Sequence, residues 1–252
     1  MRLMTLTKMR RAALRLAMVL LSAFALSGFA GVAFSAGGGG SYPSAPIDDS
    51  AESLQRGAAL FVNYCLGCHS ARYASYGRTG EDLQITPQQM REHLIFADAA
   101  DVGLGDGMIS AMSQEDGRAW FNDAVPPDLS LVARVRGADW LYAYLRAFYR
   151  DDTRPGGWNN AVFENAAMPH VLAGLQGVFV RDDGGTLRRA TEGKMTAAQY
   201  DKAMADLTGF LRYIAEPSRE RRLRAGYLVM AGLMITLVAC YFIYRDYWRD
   251  IA

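Results

Sequence analysis

Two cysteines separated by two residues, with a histidine directly after the second, constrain this chain more than any other feature: Cys65-Leu66-Gly67-Cys68-His69. C-x-x-C-H is the attachment motif of c-type haem. The two thiols add to the haem vinyl groups, and the histidine coordinates iron on the proximal side. A two-residue spacer on a helical turn sets both sulfurs along one edge of a porphyrin. Covalent attachment lets long loops hold the cofactor without a deep apolar core. Two other chemistries use paired cysteines. A thioredoxin-type dithiol wants a βαβ setting, which the pattern lacks. A zinc site needs further ligands, and the chain offers only His93, His170 and Cys240, the last inside an apolar run.

The ends of the chain place that motif outside the cytoplasm. Of 27 basic residues, five (Arg2, Lys8, Arg10, Arg11, Arg15) fall in residues 1–36, which hold no acid; the other 216 residues keep 22 bases against 26 acids, a net of −4. A basic stretch Met1–Arg15, an apolar stretch Leu16–Phe34 and small residues before Gly37–Gly40 read as a secretory signal cleaved near Ser35 or Ala36. An uncleaved anchor is the alternative; either way the body is translocated. Ala225–Tyr244 runs 20 residues without a charge, long enough to span hydrocarbon as a helix. Tyr241, Tyr244, Tyr247 and Trp248 form an aromatic belt at its far end, and Pro217-Ser218 start the helix that carries it. Arg219, Arg221, Arg222 and Arg224 precede the span and only Arg245 and Arg249 follow it, which by the positive-inside rule alone would hold the body inside; the signal, which acts first, outweighs it. With 51% apolar and 21% charged residues and a formal charge of +1, the whole is neither disordered nor a nucleic-acid binder.

The domains expected are therefore a signal peptide over 1–36, an extracytoplasmic haem domain over 37–216 and a C-terminal helix over 217–252 with its span at about 225–244. Within the body, Ser50–Tyr64 has an apolar face of Leu54, Ala58, Phe61 and Cys65 at helical spacing. Thr86-Pro87 with Gln89 predicts an N-cap, a first-turn proline and a capping box, for a helix running to about Phe96. Ser113–Phe121 is a short helix stopped by Val125-Pro126-Pro127. Asp139 is expected to cap a helix bearing Trp140, Leu141, Tyr144, Leu145 and Phe148. Asp151–Pro169 is irregular. Gly177–Arg181 and Thr186–Ala190 flank Asp-Asp-Gly-Gly as a hairpin, and Thr196 with Gln199 opens a last soluble helix. The fold class expected is mainly α, a class I-like c-type cytochrome fold with long loops, a small β-hairpin and one C-terminal transmembrane helix. Ahead of the motif the chain resembles the N-terminal helix of class I cytochromes c, in which a glycine and an aromatic cross the C-terminal helix; the resemblance implies those places for Gly57 and Phe61, with Leu207, Gly209 and Phe210 as partners.

The sixth ligand must come from elsewhere. Met90, His93 and Met204 lie in helical patterns, and Met108, Met112 and Met195 are further candidates. Met168 follows Ala166-Ala167, precedes Pro169 and sits in the irregular stretch, so a loop can approach a flat porphyrin there. Methionine opposite histidine raises the potential, as an electron acceptor requires. His170 is a rival two residues on; in an extended chain both side chains point to one side.

With these residues in hand the chain resembles the cytochrome c1 family, the haem subunits of quinol–cytochrome c reductase (cytochrome bc1) complexes. The matching segments are Gln55-Arg56-Gly57, Phe61-Val62-Asn63-Tyr64 with the haem motif, Asn122, Pro126-Pro127-Asp128-Leu129-Ser130, Asn165-Ala166-Ala167-Met168-Pro169, and Glu216-Pro217 before the span. The resemblance implies one haem c bound through Cys65 and Cys68, iron ligands His69 and Met168, and haem contacts from Asn122, Pro126, Pro127 and Trp140, with Arg136 at a propionate. His170 stands where the family usually has a second proline.

The resemblance further implies an electron relay from an iron–sulfur protein to a soluble or membrane cytochrome c. The partners would be cytochrome b, the Rieske iron–sulfur subunit and membrane lipid, with the haem domain on the periplasmic side of a bacterial inner membrane. No bond of a substrate is made or broken on this chain alone. The acidic residues Asp98, Asp101, Asp106, Glu115 and Asp116 are candidates to steer a basic acceptor. A freestanding membrane-anchored cytochrome c feeding a terminal oxidase is the alternative. A haem peroxidase or sensor is another, which an occupied sixth position argues against.

Overall fold

The computed structural model describes residues 42–96, 102–182 and 184–249. The expected signal peptide, Asp98, Asp101 and the last three residues lie outside them. Two helices build the frame. Helix α1 (Ala51–Tyr64) starts where the Ser50 side chain accepts from the Ser53 N–H, and it buries Leu54, Ala58, Phe61 and Val62. After it come β1 (Ala71–Ser75), α2 (Tyr76–Asp82), α3 (Pro87–His93), β2 (Gly107–Met108), α4 (Gln114–Trp120), α5 (Val132–Val135), α6 (Ala138–Arg146), β3 (Phe148–Arg150), β4 (Trp158–Asn160), α7 (Ala173–Gln176), β5 (Gly177–Arg181) and β6 (Leu187–Glu192). The second frame helix, α8 (Ala197–Ala215), opens with the Thr196–Gln199 capping box.

The α1–α8 crossing forms the centre of the core. It is close because Gly57 has no side chain: a Cβ there would stand 2.7 Å from the Phe210 Cβ. Phe61 and Phe210 meet with ring centroids 5.6 Å apart. One polar link is buried in the crossing. The Asp206 carboxylate, 5% exposed, accepts from Ser53 Oγ at 2.6 Å and from Arg56 Nε at 2.6 Å, which satisfies a charge that burial would otherwise penalise. Helix α6 and the short α5 pack against α8, and this places their residues beside the haem motif at the end of α1.

The β structure exceeds the hairpin that sequence suggests. Strands β5 and β6 pair antiparallel, Gly177 opposite Glu192, as the flanking residues of Asp-Asp-Gly-Gly imply. The stretch 151–169, which has no period, also contains strand β4. It pairs antiparallel with β3, Phe148 opposite Asn160, and β3 adds parallel to β5, giving a four-stranded sheet in the order β4-β3-β5-β6. Three-residue strands paired at long range leave no alternation to read. Helix α3 keeps its Thr86–Gln89 capping box and ends at His93, ahead of the expected Phe96. Helix α6 is capped by Gly137 at φ 87°, and not by Asp139; the Asp139 carboxylate accepts from the Ala45 N–H at 2.7 Å and ties down the N-terminal segment.

Helix α9 (Arg219–Tyr247) carries the apolar run, with a mean hydropathy of 2.1 over its best window and no residue of that window buried. It is separated from α8 by Glu216-Pro217-Ser218, where proline cannot continue the preceding ladder.

Filling the α1–α8 contact tests this frame. Gly57→Leu forces the crossing apart and is expected to cost ~1–3 kcal/mol or more, read as a lower melting temperature of the haem-loaded protein. Gly174→Ala, whose added Cβ meets nothing within 4 Å, is expected to leave the melting temperature where it was.

Candidate haem-binding site

The haem motif is the turn that closes α1. Cys65 N–H bonds to the Phe61 carbonyl at 2.8 Å, and Cys68 N–H and His69 N–H return to the Cys65 carbonyl at 3.0 and 2.8 Å. The turn groups both thiols and the imidazole at one end of the crossing. Burial pushes the Cys65 thiol up to about 12 and Cys68 in the same direction, so both sulfurs stand as neutral thiols, the form that adds across a vinyl group.

Pro126-Pro127-Asp128-Leu129-Ser130 fastens to this turn at several points. His69 Nδ1 lies 2.8 Å from the Pro127 carbonyl. A carbonyl only accepts, so Nδ1 carries the proton and Nε2 keeps its lone pair for a metal. Burial lowers the His69 pKa, against the opposing pull of that bond and of Asp128, and the ring stays neutral as a ligand must. The Asp128 carboxylate accepts from the Arg72 N–H and Nε at 3.1 Å each, and from the Ser130 N–H at 2.8 Å. Ser130 Oγ accepts from the Tyr73 N–H at 3.1 Å, and the Leu129 N–H reaches the Ser70 carbonyl at 2.7 Å. Gly117 on α4 lets Pro126 approach: a Cβ there would stand 2.8 Å from the proline ring.

These elements enclose a cavity of about 350 Å³ with a mostly apolar wall. Cys65, Cys68, His69, Pro126, Pro127, Arg136, Trp140 and Met168 all line it. Asn122 does not. It sits at φ 52° on the turn leading to Pro126 and lines a neighbouring recess of about 230 Å³, which shares Ala166, Ala167, Met168 and Pro169 with the main cavity. The donor set suits a haem: two thiols, an imidazole nitrogen and a thioether around an apolar slot, and a cation at its wall for a carboxylate. That cation is Arg136. Its guanidinium lies 5.1 Å from the Trp140 ring centre and 5.5 Å from that of Phe163, and no acidic side chain pairs with it among the described residues.

The two candidate distal ligands part company. Met168 faces the cavity, and its sulfur accepts from Tyr144 Oη at 3.4 Å. His170 is turned away and buried, stacked on Phe148 at 4.9 Å and edge-on to Trp158 at 5.3 Å. The chain does not stay extended after Pro169. The Val171 N–H bonds back to the Pro169 carbonyl at 2.9 Å and the Ala173 N–H to the His170 carbonyl at 3.1 Å, which rotates His170 off the face that Met168 uses. Burial takes the His170 pKa down to about 4, partly opposed by the nearby Gln176 amide, so the ring is neutral in its aromatic slot.

Sequence reasoning missed Tyr144 and Phe163. Tyr144 stacks on Trp140 at 4.9 Å and burial lifts its pKa to about 12, leaving it a hydrogen-bond donor. Its place one turn beyond Trp140 on the same helix face was the available signal; Phe163, on the irregular loop, had none. Of the acidic residues considered for steering, Asp106 accepts from the Gly103 N–H and Asp116 closes the capping box of α4, so both have local structural work.

Fold and site together define a membrane-anchored c-type cytochrome. The chain matches the model of the Cytochrome C1 family over residues 47–251. Cytochrome c1 of Allochromatium vinosum is 42% identical over 228 residues, covering 85% of this chain and 91% of that one. A Nitrosomonas europaea protein named ammonia monooxygenase gamma subunit is 42% identical over 240 residues, covering 94% of this chain and 100% of that one. The mitochondrial cytochrome c1-2 heme protein of Solanum tuberosum is 27% identical over 223 residues, 78% of each chain. The chain belongs to the cytochrome c1 family. It binds haem c, is the electron-transfer haem subunit of a quinol–cytochrome c reductase, and works there with cytochrome b and the Rieske protein. Helix α9, the one helix among the described residues long and apolar enough to cross a membrane, makes it a membrane protein.

The clamp between the motif and the Pro-Pro-Asp-Leu-Ser segment makes a measurable difference between partners. Asp128→Ala leaves three N–H donors without an acceptor and is expected to lower stability by about 1–3 kcal/mol. Arg72→Ala removes only a largely exposed partner and is expected to cost less than ~1 kcal/mol. Thermal unfolding of the two haem-loaded variants checks the order.

Proposed function

We propose that Cys65 and Cys68 would hold a haem through thioether links, that His69 and Met168 would ligate its iron, and that Pro126, Pro127 and Trp140 would pack against it. Asn122 supports the wall beside Met168, and Arg136 holds a propionate. The observation that carries this reading is that the two cysteines, the free Nε2 edge of His69 and the Met168 thioether all open on one cavity. When bound, haem supplies a one-electron couple. The chain's own residues set its conditions. The apolar wall excludes water, the Pro127 carbonyl orients His69, and a thioether favours reduced iron over oxidised iron more than a second imidazole does. Two protein ligands, each held by its own hydrogen bond, keep the geometry nearly unchanged between redox states, which suits fast transfer in and out.

Residues 1–36 act in this reading as a removed signal peptide, 37–216 as a haem domain on the periplasmic side of a bacterial inner membrane, and 217–252 as the anchor. Lipid covers the apolar side chains of α9 over about 225–244. The electron leaves to a soluble or membrane-bound cytochrome c. A reporter active only in the cytoplasm is expected to work when fused at Ala252 and to be silent when fused after Glu216; the reverse pattern would overturn the orientation. Purification of the tagged chain in mild detergent is expected to bring a cytochrome b and a Rieske protein with it. Recovery with a monooxygenase instead would support the reading carried by the name of the Nitrosomonas relative.

The ligand assignment has its own test. Met168→Leu is expected to open the sixth position, admit carbon monoxide to the reduced protein and lower the midpoint potential. His170→Ala, which empties an aromatic slot behind the wall, is expected to keep the six-coordinate low-spin spectrum. Loss of the sixth ligand in the His170 variant with retention in the Met168 variant would reverse the assignment.

A further inference from the structure

Eight residues, 161–168, connect strand β4 to the Met168 thioether with no helix or strand among them. Nothing in their own backbone fixes where Met168 stands. The Ala161 N–H returns to the Ala147 carbonyl at 3.0 Å and the Asn165 carbonyl accepts from Arg154 at 3.4 Å, but the N–H groups of Val162, Phe163 and Asn165 end on two neighbouring carboxamides. Asn159 and Asn160 are both buried, at 5% and 0% exposure, and they form the end of β4. Asn160 Oδ1 accepts from the Val162 N–H at 2.8 Å and the Phe163 N–H at 3.1 Å. Asn159 Oδ1 accepts from the Asn165 N–H at 2.9 Å and from the Asn160 N–H at 2.9 Å. Asn165, thus held, adopts φ 64° and turns the chain into Ala166-Ala167-Met168.

The amide nitrogens face the other way. Asn160 Nδ2 donates to the Tyr144 carbonyl on α6 at 2.8 Å, and Asn159 Nδ2 donates to the Asp151 carboxylate at 2.9 Å. Tyr144 is also the residue whose hydroxyl donates to Met168 sulfur. The bonds close a ring: Tyr144 carbonyl to Asn160, Asn160 to Phe163 and Asn159, Asn159 to Asn165, then along the chain to Met168 and back to the Tyr144 hydroxyl. Asn160 thus joins the loop to α6, and Asn159 joins it to Asp151 just past β3. An aspartate would lose the donor and bury a charge, and an apolar residue would leave buried N–H groups without acceptors.

We propose that the Asn159–Asn160 pair is the positioning device of the sixth ligand, fixing Met168 sulfur against the cavity by tying its loop to α6. This rests on the reading of Met168 as an iron ligand. The readouts are the weak near-infrared band that reports thioether sulfur on ferric haem iron, carbon monoxide binding to the reduced protein, and covalent haem content, all on the full-length protein in detergent. Asn160→Ala is expected to keep its haem, lose most of the near-infrared band and bind carbon monoxide; Asn159→Ala is expected to change both in the same direction. Gln55→Ala, which breaks a comparable side-chain bond to the Leu83 carbonyl (2.7 Å) on another face of the domain, is expected to lower the melting temperature with the band intact. Should Asn160→Ala not accumulate, Asn160→Asp decides: it keeps the acceptor for the loop and drops the donor to Tyr144, and a weakened band is expected. An intact band and no carbon monoxide binding in the asparagine variants would overturn the proposal, as would equal loss of the band in Gln55→Ala. A wild-type protein that lacks the band and is unchanged by Met168→Leu would overturn the ligation, and the positioning with it.

Discussion

The hydrogen bond from His69 to the Pro127 carbonyl is the contact on which the site depends. It joins a turn at the end of α1 to a proline-rich segment 58 residues further along, and it fixes the tautomer that leaves Nε2 free. Everything around it serves that juncture. The α1–α8 crossing, close because Gly57 is bare, sets the direction in which the motif turn emerges. The Asp128 carboxylate, with Arg72 and Ser130, keeps the proline segment from sliding along the turn. Two prolines lower the entropy of that segment before it docks, so a stretch without regular structure forms a rigid wall.

The opposite wall solves the same problem with different chemistry. Met168 ends an irregular loop, and its position follows from neutral amides and one phenol. The difference matters electrostatically. One electron changes the net charge inside an apolar slot, where each nearby ion has a large effect. Amide and hydroxyl dipoles fix geometry without adding a unit charge beside the iron. The carboxylate of the proximal clamp does carry a charge near His69, but it is paired to an exposed arginine.

The helix starts were legible in the sequence because caps are local. Thr86 and Thr196 each announce a helix by a partner three residues on, and each forms its capping box; Ser113 forms one too, with Asp116. The haem motif and the span of α9 were legible for the same reason: short spacing carries them; the crossing of Gly57 and Phe61 with Phe210 was expected from the resemblance to class I cytochromes c. What was hidden depends on contacts distant in sequence. Asp139 has the look of an N-cap, yet a glycine two residues earlier takes that place and frees the carboxylate for Ala45. Strands β3 and β4 have three residues each, and only their pairing makes them strands. Met168 and His170 share a side in any extended chain; a turn at Pro169, set by a bond to Val171, separates them. Asn159 and Asn160 read as loop polarity until their partners are known.

Among the described residues, Arg136 is the permanent cation on the cavity wall, and it completes the electrostatic arrangement. Arg136 spreads its charge over Trp140 and Phe163, and cation–π contact stabilises a guanidinium without neutralising it. Its charge thus remains available to a haem carboxylate. A haem carboxylate so paired would sit less negative beside the iron, which would favour the electron-rich state. With Met168 as the proposed ligand, its thioether, the phenol hydrogen bond drawing density from the sulfur, and the dry wall would all act in that same direction, since each would stabilise reduced iron relative to oxidised iron. Trp140 and Tyr144 stack one turn apart on α6, so a single short helix presents the residue that seats the arginine and the residue that bonds the sulfur. On the proposed ligation, a preference for reduced iron would follow from how α6 lies against the Met168 loop.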